Sequence, residues 1–207
     1  MQIVVLTNDV MKEELMATRM QEGTEIKWIS SEIEFLHNKN ADAFFDLLFQ
    51  PEKKRIEILQ QIHTNPVFIN DNNNTAELPF IRFNGWPTFL CRNIMEASCN
   101  NEIEKKKAET IISKLNRKAE WTPAIPGFIT SRVLAMIINE AFFALGEGVS
   151  TRTDIDIAMK MGTNYPYGPF EWSEKIGLKN IYSLLVELNK TSKRYEPAPF
   201  LKNEALK

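Results

Sequence analysis

Thiols, imidazoles and glycines are scarce in this 207-residue chain, which has two Cys, two His and eight Gly. Cys91 and Cys99 are too few for a disulfide framework and wrongly spaced for zinc. Two buried, reduced thiols, a cytoplasmic setting and no metal are therefore expected. Neither sign of charge is in excess: 25 Lys and Arg against 27 Asp and Glu leave a formal charge of −2. Phosphate binding needs a concentrated basic surface, so nucleic acid is excluded as the expected partner. Lys105-Lys106-Lys107 reads as the solvated face of a helix. Residues 1–9 lack the basic start and long apolar run of a secretory signal. The longest apolar stretch, residues 133–145, is short and interrupted by Asn139 and Glu140, so no membrane span is expected. Phosphate-loop, nucleophile-elbow and HExxH motifs are absent.

What is present is an alternation of apolar runs and helical periods. Residues 2–6 (QIVVL) read as a buried strand and 10–22 as a helix, with Asn8 or Asp9 as N-cap and Gly23 at its end. A second strand at 25–30 completes a β-α-β opening of about 30 residues. Residues 41–49 (ADAFFDLLF) read as a strand, Pro51-Glu52 opens a helix to about Ile62, and 66–70 (PVFIN) form another strand. A polar loop at 71–75, a strand at 80–83 and an amphipathic helix at 103–117 follow. Strands alternating with helices imply a parallel sheet covered on both faces.

From Pro126 onward no strand signal remains. Residues 128–145 are apolar almost all the way round, which suits a helix that is central or shared with a second subunit. Gly146 and Gly148 stop it, Thr151 and Asp154 cap the next helix, and Gly162 ends that one. Residues 165–169 form a rigid turn, Phe170 or Glu171 begins another helix, and a last helix spans about 180–191. The domains expected are 1–122 and 123–207.

Pro126-Gly127-Phe128, Asn139-Glu140-Ala141, Asp154-Ile155-Asp156 with Ala158-Met159-Lys160, and Tyr165-Pro166 with Gly168-Pro169-Phe170-Glu171 occur in a set order. At this spacing they closely resemble the C-terminal domain of the 3-hydroxyacyl-CoA dehydrogenase family. Weaker matches run back through 41–51, 67–75 and 80–87. The resemblance implies an α/β plus all-α protein: a shortened Rossmann-like parallel sheet domain, then a helical dehydrogenase C-terminal domain of the 6-phosphogluconate dehydrogenase-like type. It also implies a homodimer built through the helical domain, and a place in fatty acid metabolism.

The N-terminal half departs from the family pattern. The glycines that let a backbone approach the dinucleotide pyrophosphate fall on Thr7, Asp9 and Lys12, and the acid expected for the ribose hydroxyl falls on Ser30. The family's helical hairpin between its second and third strands is reduced to residues 31–40. The family uses a His as general base, oriented by a Glu twelve residues later. Aligned on Phe83-Asn84, these positions are Ile81 and Asn93, neither of which accepts a proton; Glu96 substitutes only after a shift in register. Polar residues carried over to a cleft between the domains are Asn73, Asn84 and Ser131.

The reading is a homodimeric pseudoenzyme without cofactor that binds an acyl-CoA-like compound or a protein partner. The alternative is an active NAD-dependent dehydrogenase with Glu96 or His63 as replacement base, and a third reading is a scaffold without ligand. His37 and His63 otherwise read as surface residues, Trp86 as packing, and Met159 and Met161 as core or interface filler. Glu171 reads as a helix-dipole partner, and Asp154 and Asp156 as carboxylates facing different ways.

Overall fold

The computed structural model describes residues 1–73 and 77–207; Asn74 and Thr75 of the expected polar loop lie outside them. The chain divides into two compact units, Met1–Phe128 and Ile129–Lys207.

The first unit is a seven-stranded sheet in the order β2-β1-β3-β4-β5-β6-β7. Strands β1 (Gln2–Leu6), β2 (Glu25–Ile29), β3 (Ala43–Asp46), β4 (Val67–Asn70) and β5 (Ile81–Phe83) run parallel. Strand β6 (Ile94–Ser98) turns antiparallel to β5, and β7 (Lys118–Trp121) runs parallel to β6. Alternate side chains of each strand enter separate cores, as a period of two requires. Ile3, Val5, Phe45, Phe68 and Phe83 meet Met11 and Leu15 of helix α1 (Asp9–Met16) and Ile111 and Ile112 of α3 (Glu102–Lys114). On the other face Val4, Leu6, Phe44 and Ile69 meet Ile58, Leu59 and Ile62 of α2 (Lys53–Ile62).

Several elements differ from the expectation. Helix α1 ends at Met16 rather than Glu22; the chain then turns, and Gln21 N–H donates to Lys114 O across to α3. The 31–40 link forms a 3₁₀ helix, Glu32–Asn38, opened by a capping box at Ser31 and Glu34. Strands β6 and β7 were not foreseen, because each mixes polar and apolar residues along its length. The first unit runs to Phe128 rather than 122: Gly127 N–H donates to Asn72 O at 2.7 Å, and Arg82 lies 5.1 Å over the Phe128 ring.

The second unit is helical: α4 (Thr130–Gly146), α5 (Arg152–Thr163), α6 (Pro169–Ile176), α7 (Leu178–Asn189) and α8 (Pro199–Ala205). Helix α8 lies beyond the last expected helix; Pro199 stands in its first turn, where a missing N–H costs nothing. Asn164, at φ 58°, supplies the left-handed cap of α5 in place of Gly162. Among the described residues no helix is long and apolar enough to cross a membrane.

Candidate functional site

The carboxyl ends of β1 and β3 mark where the strand order reverses, the crevice where open α/β sheets hold ligands. Leu47 N–H donates to Leu6 O at 3.0 Å and closes these two ends together. Between β1 and α1, Asn8 accepts the Met11 N–H at 2.9 Å through its side chain. Asp9 follows as an exposed carboxylate in the first turn of α1. Thr7 Oγ1 donates to Asn8 O, and Lys12 lies 5.2 Å over the Trp28 ring. At the end of β2, Ser30 and Ser31 donate their N–H groups to Glu34.

Beside this crevice Asp46, fully buried at the end of β3, takes Arg55 Nε at 2.6 Å and Nη2 at 2.8 Å. Burial pushes the Asp46 carboxyl up, and the Arg55 guanidinium pulls it back. Asn70 at the end of β4 donates to Leu47 O and Gly85 O, while its Oδ1 accepts the Gly85 N–H at 3.0 Å. A Cβ on Gly85 would meet Asn70 Cγ at 2.7 Å, so this stitch requires glycine.

The polar centre of the first unit lies on β5 and β6. Ile81, Phe83, Met95 and Ala97 point into one apolar core. By alternation Arg82, Asn84, Glu96 and Ser98 share the opposite face, and all four are buried. Asn84 Nδ2 donates to Glu96 Oε2 at 3.1 Å, and Asn84 N–H donates to Glu96 O at 2.9 Å. Asn84 Oδ1 accepts the Trp86 N–H at 3.3 Å, so both ends of the amide are held. One rung along, Arg82 stands opposite Ser98.

The structure does not bring Ile81 and Asn93 together. Ile81 is a core residue, and Asn93 is exposed ahead of β6, its carbonyl taken by Lys118 N–H. Glu96 faces Asn84 across the paired strands. Of the carried-over polar residues, Asn73 donates its N–H to Asp71 Oδ1 and Asn84 faces Glu96, both in the first unit. Ser131 is fully buried in the first turn of α4 in the second unit. His37 is exposed; His63 sits at the end of α2 with Nε2 3.2 Å from Glu104 Oε1.

Cys91 is exposed rather than buried, because the turn before β6 carries it outward, and Cys99 is half-buried, its thiol pushed up by burial. Trp86 is buried, as packing requires, whereas Met161 is 83% exposed.

The second unit shows what its sequence motifs hold. Asp156 is buried and accepts Phe170 N–H at 2.8 Å and Glu171 N–H at 3.2 Å, capping α6 from α5. A Cβ on Gly168 would come within 2.3 Å of the Asp156 carboxyl. Glu171 accepts Gly168 N–H and pairs with Lys160; the Lys160 contact first, then that N–H, hold its carboxyl below the usual range. Asn139 accepts Ala198 N–H at 2.8 Å and donates to Glu196 O at 2.9 Å, pinning the chain ahead of α8 onto α4. These residues serve architecture.

Residues 127–206 match the family model for the 3-hydroxyacyl-CoA dehydrogenase C-terminal domain. A 3-hydroxyadipyl-CoA dehydrogenase of Escherichia coli K12 is 37% identical over 55% of this chain and 24% of its own length. A 3-hydroxybutyryl-CoA dehydrogenase of Bradyrhizobium diazoefficiens is 35% identical over 54% of this chain and 38% of its own. These matches thus span well under half of either relative. The structure of (S)-3-hydroxybutyryl-CoA dehydrogenase PaaH1 from Ralstonia eutropha superposes with a TM-score of 0.73 at 18% identity, covering 98% of this chain and 92% of that one. The fold is thus shared along the whole chain, and residues 127–206 match the 3-hydroxyacyl-CoA dehydrogenase C-terminal domain.

Proposed function

We propose that this chain is a 3-hydroxyacyl-CoA dehydrogenase family member that has lost hydride transfer and serves as a dimeric protein that binds an acyl compound. The observation carrying this reading is the pair Asn84 and Glu96. The two residues are separated by 12 positions and joined by a hydrogen bond between antiparallel strands. Twelve is the spacing that the resemblance implies for base and orienting carboxylate. On that registration the Glu persists and the base is an amide. A side-chain amide takes no proton near neutral pH, so a hydroxyl proton has no acceptor at this position.

The nucleotide end supports the same reading. A helix N-terminus binds phosphate through free N–H groups, and here Asn8 takes one of them while Asp9 adds negative charge. The second copy is assigned to α4, where Val133 is 56% exposed and Met136 and Ile137 line an apolar groove with Ile155 and Met159 of α5.

The test is melting with NADH and with acetoacetyl-CoA, alongside an assay of NADH oxidation. Acyl-CoA at one hundred times its Kd is expected to add about 2.7 kcal/mol of stability, and NADH none. Turnover of acetoacetyl-CoA at an ordinary rate, or stabilisation by NADH, would overturn the reading. A shift with neither compound would favour a scaffold.

A further inference from the structure

A second polar site lies on the β5–β6 face, around Arg82 and Ser98. A cavity of about 340 Å³ is bounded by His63, Leu78, Phe80, Arg82, Ser98 and Glu104, among other residues. That volume is at the small end for a ligand pocket. Arg82 is 3% exposed, and its Nη2 donates to Asp71 O at 2.8 Å. Its Nε stands 3.3 Å from Asp71 Oδ2, within ion-pair range, but among the described residues neither Nε nor Nη1 makes a hydrogen bond.

A buried N–H left unmade costs about 1–3 kcal/mol, more on a charged group. A guanidinium kept in that state at a cavity wall is poised to turn towards an incoming oxygen. Burial also holds the guanidinium below its ordinary basicity, against the pull of Asp71.

Another part of the lining has the reverse character. Glu104, half-buried in the first turn of α3, faces His63 Nε2 at 3.2 Å and the Cys99 thiol at 3.7 Å. Glu77 adds a further carboxylate at the exposed rim. Asp71 already balances Arg82, so the site as a whole repels a bare anion. A ligand that suits both parts carries an acceptor oxygen at one end and a cationic nitrogen at the other. Phe80, Leu78 and Pro79 leave an apolar flank for a short side chain.

We propose that this cavity binds a small zwitterion of the α-amino-acid type, its carboxylate on Arg82 and its ammonium towards Glu104. The experiment is calorimetric titration of the full chain with the free amino acids, and with acetate, ethylammonium and inorganic phosphate as single-ended probes. At least one amino acid is expected to bind saturably, at least tenfold more tightly than any single-ended probe. Arg82→Lys, which keeps the charge but loses the fork, is expected to weaken it at least tenfold. Leu78→Trp, at a half-exposed rim position, fills the cavity and is expected to do the same should Arg82→Lys fail to fold. No saturable binding by any amino acid, tighter binding of phosphate or acetate, or binding indifferent to the substitution in whichever variants fold would overturn the proposal.

Discussion

A single side chain decides how the polar centre of the first unit is read. Asn84 and Glu96 are both buried on one face, and the amide is held at each end. Asn84→His would set an imidazole opposite Glu96. The expected outcome is a folded protein still inactive on acetoacetyl-CoA, because the loop at Thr7–Asp9 is unchanged; an NADH assay checks it. The spacing of Asn84 and Glu96 is visible in the sequence, but their hydrogen bond depends on the antiparallel turn of β6, which the sequence does not announce. Steric demands are as local. Gly168 has no room for a methyl against Asp156, so Gly168→Ala is expected to cost about 1–3 kcal/mol in thermal unfolding. Asp156→Ala removes the two hydrogen bonds to α6 and is expected to cost about 0.5–2 kcal/mol. The motif was legible as ancestry, and its physical role emerged only when α5 and α6 were seen side by side.

Charge ties several elements to one another, among them β3 to α2 and α5 to α6. Asp46 and Arg55 join the end of β3 to α2 in a nearly dry setting. Arg55→Met leaves the buried Asp46 carboxylate without its cation and is expected to cost about 3–5 kcal/mol by urea unfolding, and adding Asp46→Leu to recover much of it. Glu171 and Lys160 are half-exposed, and their contribution is pH-dependent. The folded state holds the Glu171 carboxyl below its usual range. What it contributes is therefore complete above that range and is lost as pH falls through the lowered value. Melting curves of the native protein and Glu171→Gln are expected to converge in acid, and to approach each other in high salt. The parallel strands β1, β3 and β4 were legible because they are apolar on both faces. Strand β6 was not, since Glu96 and Ser98 interrupt the apolar signal on the very face that carries the polar pair.

At the scale of the molecule, the two units were foreseeable from the disappearance of strand patterning, while their border was set by contacts invisible in sequence: Asn72 with Gly127 and Arg82 with Phe128. The apolar circumference of residues 128–145 resolves into a buried side, with Leu134, Ile138 and Phe142, and a side bearing Ile129 and Val133 at 51% and 56% exposure. If a second copy covers that side, light scattering will give twice the mass of one 23.9 kDa chain, and Val133→Asp with Ile137→Asp will return it to one. A native monomer at micromolar concentration would remove the dimer.

The first unit also contains Arg117, buried and, among the described residues, facing carbonyls rather than a carboxylate. It donates to Leu15 O, Leu90 O, Arg92 O and Leu115 O, and the bond to Leu15 crosses 102 positions. During synthesis the end of α1 would thus wait, its carbonyl unclaimed, until nearly the whole unit has left the ribosome. Nascent chains halted before residue 117 should be protease-sensitive along their full length, and those released just beyond this unit should abruptly resist.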